Sequence, residues 1–194
     1  MRARLAIVGG LLGLSILMVG CTSDDLAEDF GSGAGDYSDS GGPTVVAEGD
    51  RGEALDFEEK TIDGSRLSLA DLRGEVVVVN FWYAGCAPCR AEAPILDELH
   101  GEYAEDGVSF VGVNTVDQAA TALSFEKNYG IEYPSVLDVE SGAARIAFAG
   151  QVSPSAVPTT FVLDREGRIA ARIVGQLESK SILNTLISET LAEQ

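Results

Sequence analysis

The chain has 194 residues, 45% of them hydrophobic, and a formal net charge of −18 from 13 Lys and Arg against 31 Asp and Glu. The hydrophobic content excludes a wholly disordered chain, and the length allows one domain of roughly 100–150 residues with appendages. The acidity excludes a nucleic-acid partner, whose phosphates need Lys and Arg, and gives no attraction to an anionic bilayer; its plain consequence is solubility.

Arg2 and Arg4 precede an uncharged apolar run from Leu5 to Gly20. A basic start followed by an apolar run short of the ~20 residues of a membrane span predicts a signal peptide over residues 1–20. The run ends Met18-Val19-Gly20-Cys21, which resembles a lipobox. That resemblance implies acylation of Cys21 and anchoring in a lipid bilayer by buried acyl chains. Ordinary cleavage nearby, or an uncleaved anchor, is the alternative. From Thr22 to Asp50 there is no Lys or Arg, and Asp24, Asp25, Glu28, Asp29, Asp36, Asp39, Glu48 and Asp50 lie among Gly and Ser. Such a stretch buries too little apolar surface to offset chain entropy, so residues 21–49 are predicted as an extended, flexible tether.

The folded domain is predicted over residues 50–194. Leu55, Phe57 and Glu58 to Lys60 predict a strand, Asp63-Gly64 a hairpin turn, and Leu67 to Leu69 the return. The continuous apolar run from Val76 to Trp82 predicts a strand buried on both faces. A helix is predicted from about Cys89 to Tyr103, a second buried strand over Val108 to Asn114, and a helix over Thr121 to Tyr129 stopped by Gly130. Tyr133 to Leu137 predicts a short strand and Gly142 to Phe148 a short helix. Thr160 to Asp164 and Arg168 to Val174 flank a hairpin turn, and Ile182, Leu183, Leu186, Ile187 and Leu191 recur at helical spacing. This order predicts an α/β domain: a central mixed β-sheet flanked by helices, with an added N-terminal β-hairpin.

Of three cysteines, a lipidated Cys21 leaves the pair Cys86-Ala87-Pro88-Cys89, which follows a hydrophobic strand and opens a helix. A thiolate there faces unpaired backbone N–H groups and the positive end of the helix dipole, which lowers its pKa. Cys86 is predicted to attack and Cys89 to resolve the mixed disulfide. Pro88 falls in the first turn, where its missing N–H costs little. A purely structural disulfide would close too short a loop to restrain the unfolded chain. A zinc site needs three or four ligands, and the chain adds only His100, predicted at the helix surface. No metal and no organic cofactor is therefore expected, which also weighs against a metallochaperone. A peroxidase of related fold would carry Pro and Thr where Val79 and Tyr83 stand.

The segment Val76-Val77-Val78-Val79-Asn80-Phe81-Trp82-Tyr83-Ala84-Gly85-Cys86-Ala87-Pro88-Cys89-Arg90-Ala91-Glu92-Ala93-Pro94 resembles the active-site segment of the TlpA/ResA/DsbE group of thioredoxin-like proteins. Ser68 to Gly74 and the run Val157-Pro158-Thr159-Thr160-Phe161 fit the same group. The resemblance spans residues 50 to 190. It implies the thioredoxin-like fold and extracytoplasmic, membrane-attached disulfide exchange with protein partners, often reductive and often serving cytochrome c maturation. A membrane redox partner would supply or take electrons, and the chain is expected to act as a monomer. An oxidase that installs disulfides stays open.

The resemblance also assigns residues. A cis bond is expected before Pro158, with Val157 offering its backbone to substrate; Pro154 is the alternative. Asn80 replaces the titratable Asp of thioredoxin itself. Asp117 falls where the group carries an acidic loop residue. It is expected either to move a proton for Cys89 or to be a solvated loop residue or helix cap. Glu92 fits the group's acidic residue one turn beyond the second cysteine. Trp82 is expected beside the site, as packing or as a substrate contact. Gly85, where many relatives have Trp, is expected to open the mouth of the site.

Overall fold

A computed structural model describes residues 42–153 and 155–193. The predicted signal peptide, Cys21, the tether as far as residue 41, and Pro154 lie outside the described residues.

The central strand is β4, Val76–Trp82, with all seven residues buried. Its four consecutive valines favour extended backbone, because β-branched side chains are restricted in a helix and pack well on a pleated surface. β5, Val108–Asn114, runs parallel to β4, pairing Val76 with Val108 and Trp82 with Asn114. β7, Thr159–Leu163, runs antiparallel on the other side, pairing Phe81 with Thr159. β6, Ser135–Leu137, extends the sheet beyond β5, and β8, Ile169–Val174, lies beyond β7. β2, Glu58–Lys60, and β3, Arg66–Ser68, form a separate hairpin tied to the main sheet by a bridge from Thr61 to Val136. The expected mixed sheet with an added hairpin is present.

Alternation along β4 sends side chains into two cores. Val76 and Val78 meet Leu96 and Leu99 of α1, Ala87–Tyr103, and Leu183 and Ile187 of α4, Lys180–Ala192. Val77, Val79 and Phe81 meet Phe148, Phe161 and the hairpin side of the sheet. α2, Ala119–Tyr129, and α3, Ala143–Ala147, complete the flanking helices. Gly130 ends α2 in the left-handed region, φ 72°, which glycine adopts without steric cost.

The structure departs from expectation at the N-terminal side. β1, Pro43–Val45, lies inside the stretch read as tether, yet pairs antiparallel with β8, Pro43 opposite Ile173 and Val45 opposite Ala171. The sheet order is β1-β8-β7-β4-β5-β6. Three residues carry no periodic signal; what recruits them is the free edge of β8. A buried ion cluster follows directly. The Arg51 guanidinium, 2% exposed, pairs with Asp164 at 3.0 Å and Glu193 at 2.6 Å. It joins the segment after β1 to the β7–β8 turn and to the residue that ends α4.

Candidate active site

β4 delivers the chain to a tight turn, Tyr83 to Cys86, closed by the Cys86 N–H donating to the Tyr83 carbonyl at 3.1 Å. α1 begins immediately after, and Cys86 is its N-cap: the Cys86 Sγ accepts the Cys89 N–H at 3.1 Å. Sulfur at that position meets an otherwise orphaned donor and the positive end of the helix dipole, both of which stabilise a thiolate. Cys86 and Cys89 are joined in a disulfide, with their Cα atoms 5.3 Å apart.

The Val157–Pro158 peptide bond is cis. Pro158 precedes Thr159, the residue paired with Phe81, and its carbonyl accepts the Gly175 N–H at 2.9 Å. Val157 packs on the cluster that contains Trp82, Cys86 and Cys89. The sheet register therefore brings Cys86, Cys89, Val157 and Pro158 to one end of the molecule.

Of the two readings of Trp82, the structure shows packing: it is 3% exposed and stacks on Phe125 at 4.3 Å between centroids. Gly112 makes room for it, because a Cβ there would stand 2.8 Å from Trp82 Nε1. Gly85 does not leave an open mouth. The Tyr83 ring lies against it, a Cβ on Gly85 would come 3.2 Å from Tyr83 Cε2, and Cys86 is only 2% exposed. His100 is not a solvated surface residue: it packs edge-on to Phe110 and Tyr133, which anchors α1 to the sheet.

Glu92 lies one turn beyond Cys89 on the buried side of α1 and is fully enclosed. Its Oε1 accepts the Asn80 side-chain amide at 2.8 Å and its Oε2 accepts the Leu177 N–H at 2.8 Å. The same Asn80 amide also donates to Thr160 Oγ1 at 3.0 Å. Burial pushes the Glu92 carboxyl up to about 7, against the lowering effect of the Leu177 and Asn80 donors. Both donors are neutral, so they offset only part of the loss of hydration of a full negative charge. Asn80 and Cys89 also line a cavity of about 10 Å³, near the smallest that holds a water.

Asp117 is not the cap of α2, which is Gln118. Its carboxylate accepts the Ala84 N–H at 2.6 Å and the Asn114 side-chain amide at 2.9 Å. Sequence reasoning missed three contributors: Arg90, whose guanidinium donates to the Ala84 carbonyl at 3.0 Å, Asn114, and the Leu177 N–H. Asn114 ends a buried strand before a loop, which is a signal for a side chain that caps local backbone; Leu177 carries none. Among the described residues no group of three or more His, Cys, Asp or Glu is arranged to hold a metal.

The Redoxin family profile matches residues 47–187. The thiol-disulfide oxidoreductase ResA of Bacillus subtilis (strain 168) is 32% identical over 73% of this chain and 75% of its own length. A DsbF homologue from Corynebacterium diphtheriae superposes with a TM-score of 0.69 at 35% identity, covering 79% of this chain and 96% of that one. A secreted thiol-disulfide isomerase from Corynebacterium glutamicum superposes with a TM-score of 0.73 at 30% identity, covering 82% and 98%.

Proposed function

The chain belongs to the Redoxin family and is a thiol–disulfide oxidoreductase of the ResA and DsbE type with a thioredoxin-like fold; on that premise we propose that it is a membrane-tethered, extracytoplasmic reductase of disulfides in protein substrates. The observation that carries the reading is the Cys86–Cys89 disulfide at the start of α1, with Cys86 as the helix cap, beside Val157 and Pro158. The basic, apolar start of the chain and the lipobox-like Cys21 support the extracytoplasmic anchor. The domain organisation is accordingly signal peptide 1–20, a tether beginning at residue 21, and a catalytic head. The family resemblance supports the reductive direction and a place in cytochrome c maturation.

In the reduced enzyme the Cys86 thiolate attacks one sulfur of the partner's disulfide. A Cys86–partner S–S bond forms, the partner's own S–S bond breaks, and its second sulfur leaves as a thiolate. Cys89 then gives up its proton and attacks Cys86 Sγ. The Cys86–Cys89 bond forms and the partner's first sulfur is released, so two electrons have passed to the partner. Glu92, with a carboxyl poised near neutrality one turn from Cys89, is the group suited to hold that proton. Val157 pairs its backbone with the substrate chain while the mixed disulfide lasts, a reading supported by its packing on the cysteine cluster. A dithiol partner in the membrane returns the electrons, and no further cofactor enters the balance.

The test is the reduction potential of the pair, titrated against glutathione and dithiothreitol. A value near or below thioredoxin's, about −270 mV, is expected of the reductase. A value nearer about −120 mV would assign the protein to disulfide formation instead.

A further inference from the structure

Ala84, at the centre of the turn that carries Cys86, is gripped on both sides. Its N–H donates to the Asp117 carboxylate at 2.6 Å, and its carbonyl accepts from the Arg90 guanidinium at 3.0 Å. Both bonds are charge-assisted, the stronger class of hydrogen bond. Asp117 is itself fixed: the Asn114 side-chain amide donates to its Oδ2 at 2.9 Å, and Asn114 Oδ1 accepts the backbone N–H groups of Val116 and Asp117 at 3.2 and 2.7 Å. Asn114 ends β5 directly opposite Trp82, so the grip is referred to the sheet. Arg90 is referred to α1, where its own N–H donates to the Cys86 carbonyl at 3.2 Å.

We propose that Asp117 and Arg90 are positioning residues for the nucleophile: together they clamp Ala84, and through it hold Cys86 Sγ over the N–H of Cys89. The inference rests on the reading of Cys86 as the attacking sulfur. Without the clamp, the turn keeps the Cys86-to-Tyr83 and Arg90-to-Cys86 backbone bonds and the packing of Tyr83 on Gly85, none of which holds Ala84 itself. A cap that wanders loses the donor that stabilises the thiolate, and the thiol becomes harder to ionise. Proton transfer by Asp117 is a different role, and the two separate cleanly. A clamp needs an oxygen acceptor at position 117, which asparagine supplies; proton transfer needs a titrating carboxyl, which asparagine lacks.

The experiment is the pH profile of iodoacetamide alkylation of the reduced full-length protein, with the site read by peptide mapping. Asp117→Asn is expected to keep the wild-type midpoint. Asp117→Ala is expected to raise it, with alkylation at a pH below the midpoint about five-fold slower, the size of a lost capping hydrogen bond. Equal shifts in both variants would mean that only the charge of Asp117 matters and overturn the clamp; no shift in either would overturn it too. If Asp117→Ala fails to fold, the carbonyl side carries the same test. Arg90→Gln keeps a donor and should stay near wild type, whereas Arg90→Ala should shift. Equal shifts there would mean that only the charge matters, and no shift that the contact is idle; either overturns the proposal. A wild-type Cys86 that alkylates no faster than Cys89 would instead overturn the assignment of Cys86 as nucleophile.

Discussion

Two buried carboxylates, at opposite ends of the sheet, behave in opposite ways. Asp164, beyond the far end of β7, is enclosed like Glu92, and burial alone would raise its pKa. The Arg168 N–H, the Arg51 guanidinium and the Arg168 guanidinium outweigh burial and hold it below the usual carboxylate range. Glu92, at the redox end, meets only the neutral donors of Leu177 and Asn80, and its carboxyl rises to about 7. Both side chains are buried, and Asp164 has the guanidinium partners that Glu92 lacks. Where the fold needs to be held, the charge is paired and permanent. At the cysteine end the carboxyl has no counter-ion, and it titrates close to neutral pH.

The largest way to break the contrast is to remove the cation. Arg51→Ala strips Asp164 and Glu193 of a partner that is 2% exposed. Breaking such a buried pair should cost about 3–5 kcal/mol, read as a lower urea midpoint. Next is Glu92→Gln. A carboxyl whose folded pKa lies above its unfolded 4.5 stabilises fully below pH 4.5, and that contribution is lost as pH rises through about 7. The wild-type stability, followed through the urea midpoint, should therefore fall between about pH 4.5 and 7, by on the order of 3 kcal/mol at most, and Glu92→Gln should flatten that limb. Asp164 gives the opposite sign. Its contribution is present above the unfolded pKa of about 3.9 and lost as pH falls through the lower folded value. An acid limb should appear there and shrink in Arg51→Ala. The smallest effect is on two exposed ion pairs: Lys180, bonded to Glu98 and Glu102 across α4 and α1, should be replaceable by Ala with no resolvable change in midpoint.

The sheet was legible where burial writes itself into composition. Val76 to Trp82 and Val108 to Asn114 are continuous apolar runs, and the structure returns the same boundaries. The cysteine pair was legible because strand, C-x-x-C and helix are adjacent in the chain. Glu92 stands in an Ala- and Pro-rich helical turn that gives no sign of enclosure; its partners, Asn80 and Leu177, lie 12 and 85 residues away. The Asp117 contact to Ala84 spans 33 residues, and the Arg51 contact to Glu193 spans 142. Such contacts are set by strand register, which a local pattern does not contain. β1 was invisible for the same reason: Pro-Thr-Val is a strand only because β8 offers it an edge.

That short strand has a practical consequence for anyone excising the catalytic head. Trimming at residue 50, where the composition changes, would strip β8 of its cover from Ala170 to Ile173. The bared backbone would lie on the strand whose next residue, Val174, is paired with Thr159 and is 38% exposed. An open edge beside the redox end invites pairing with a second chain. In the intact protein, β1 is three residues long and begins with a proline that has no N–H to offer. The stretch that reads as mere leash is also the selvedge that keeps the cloth from fraying.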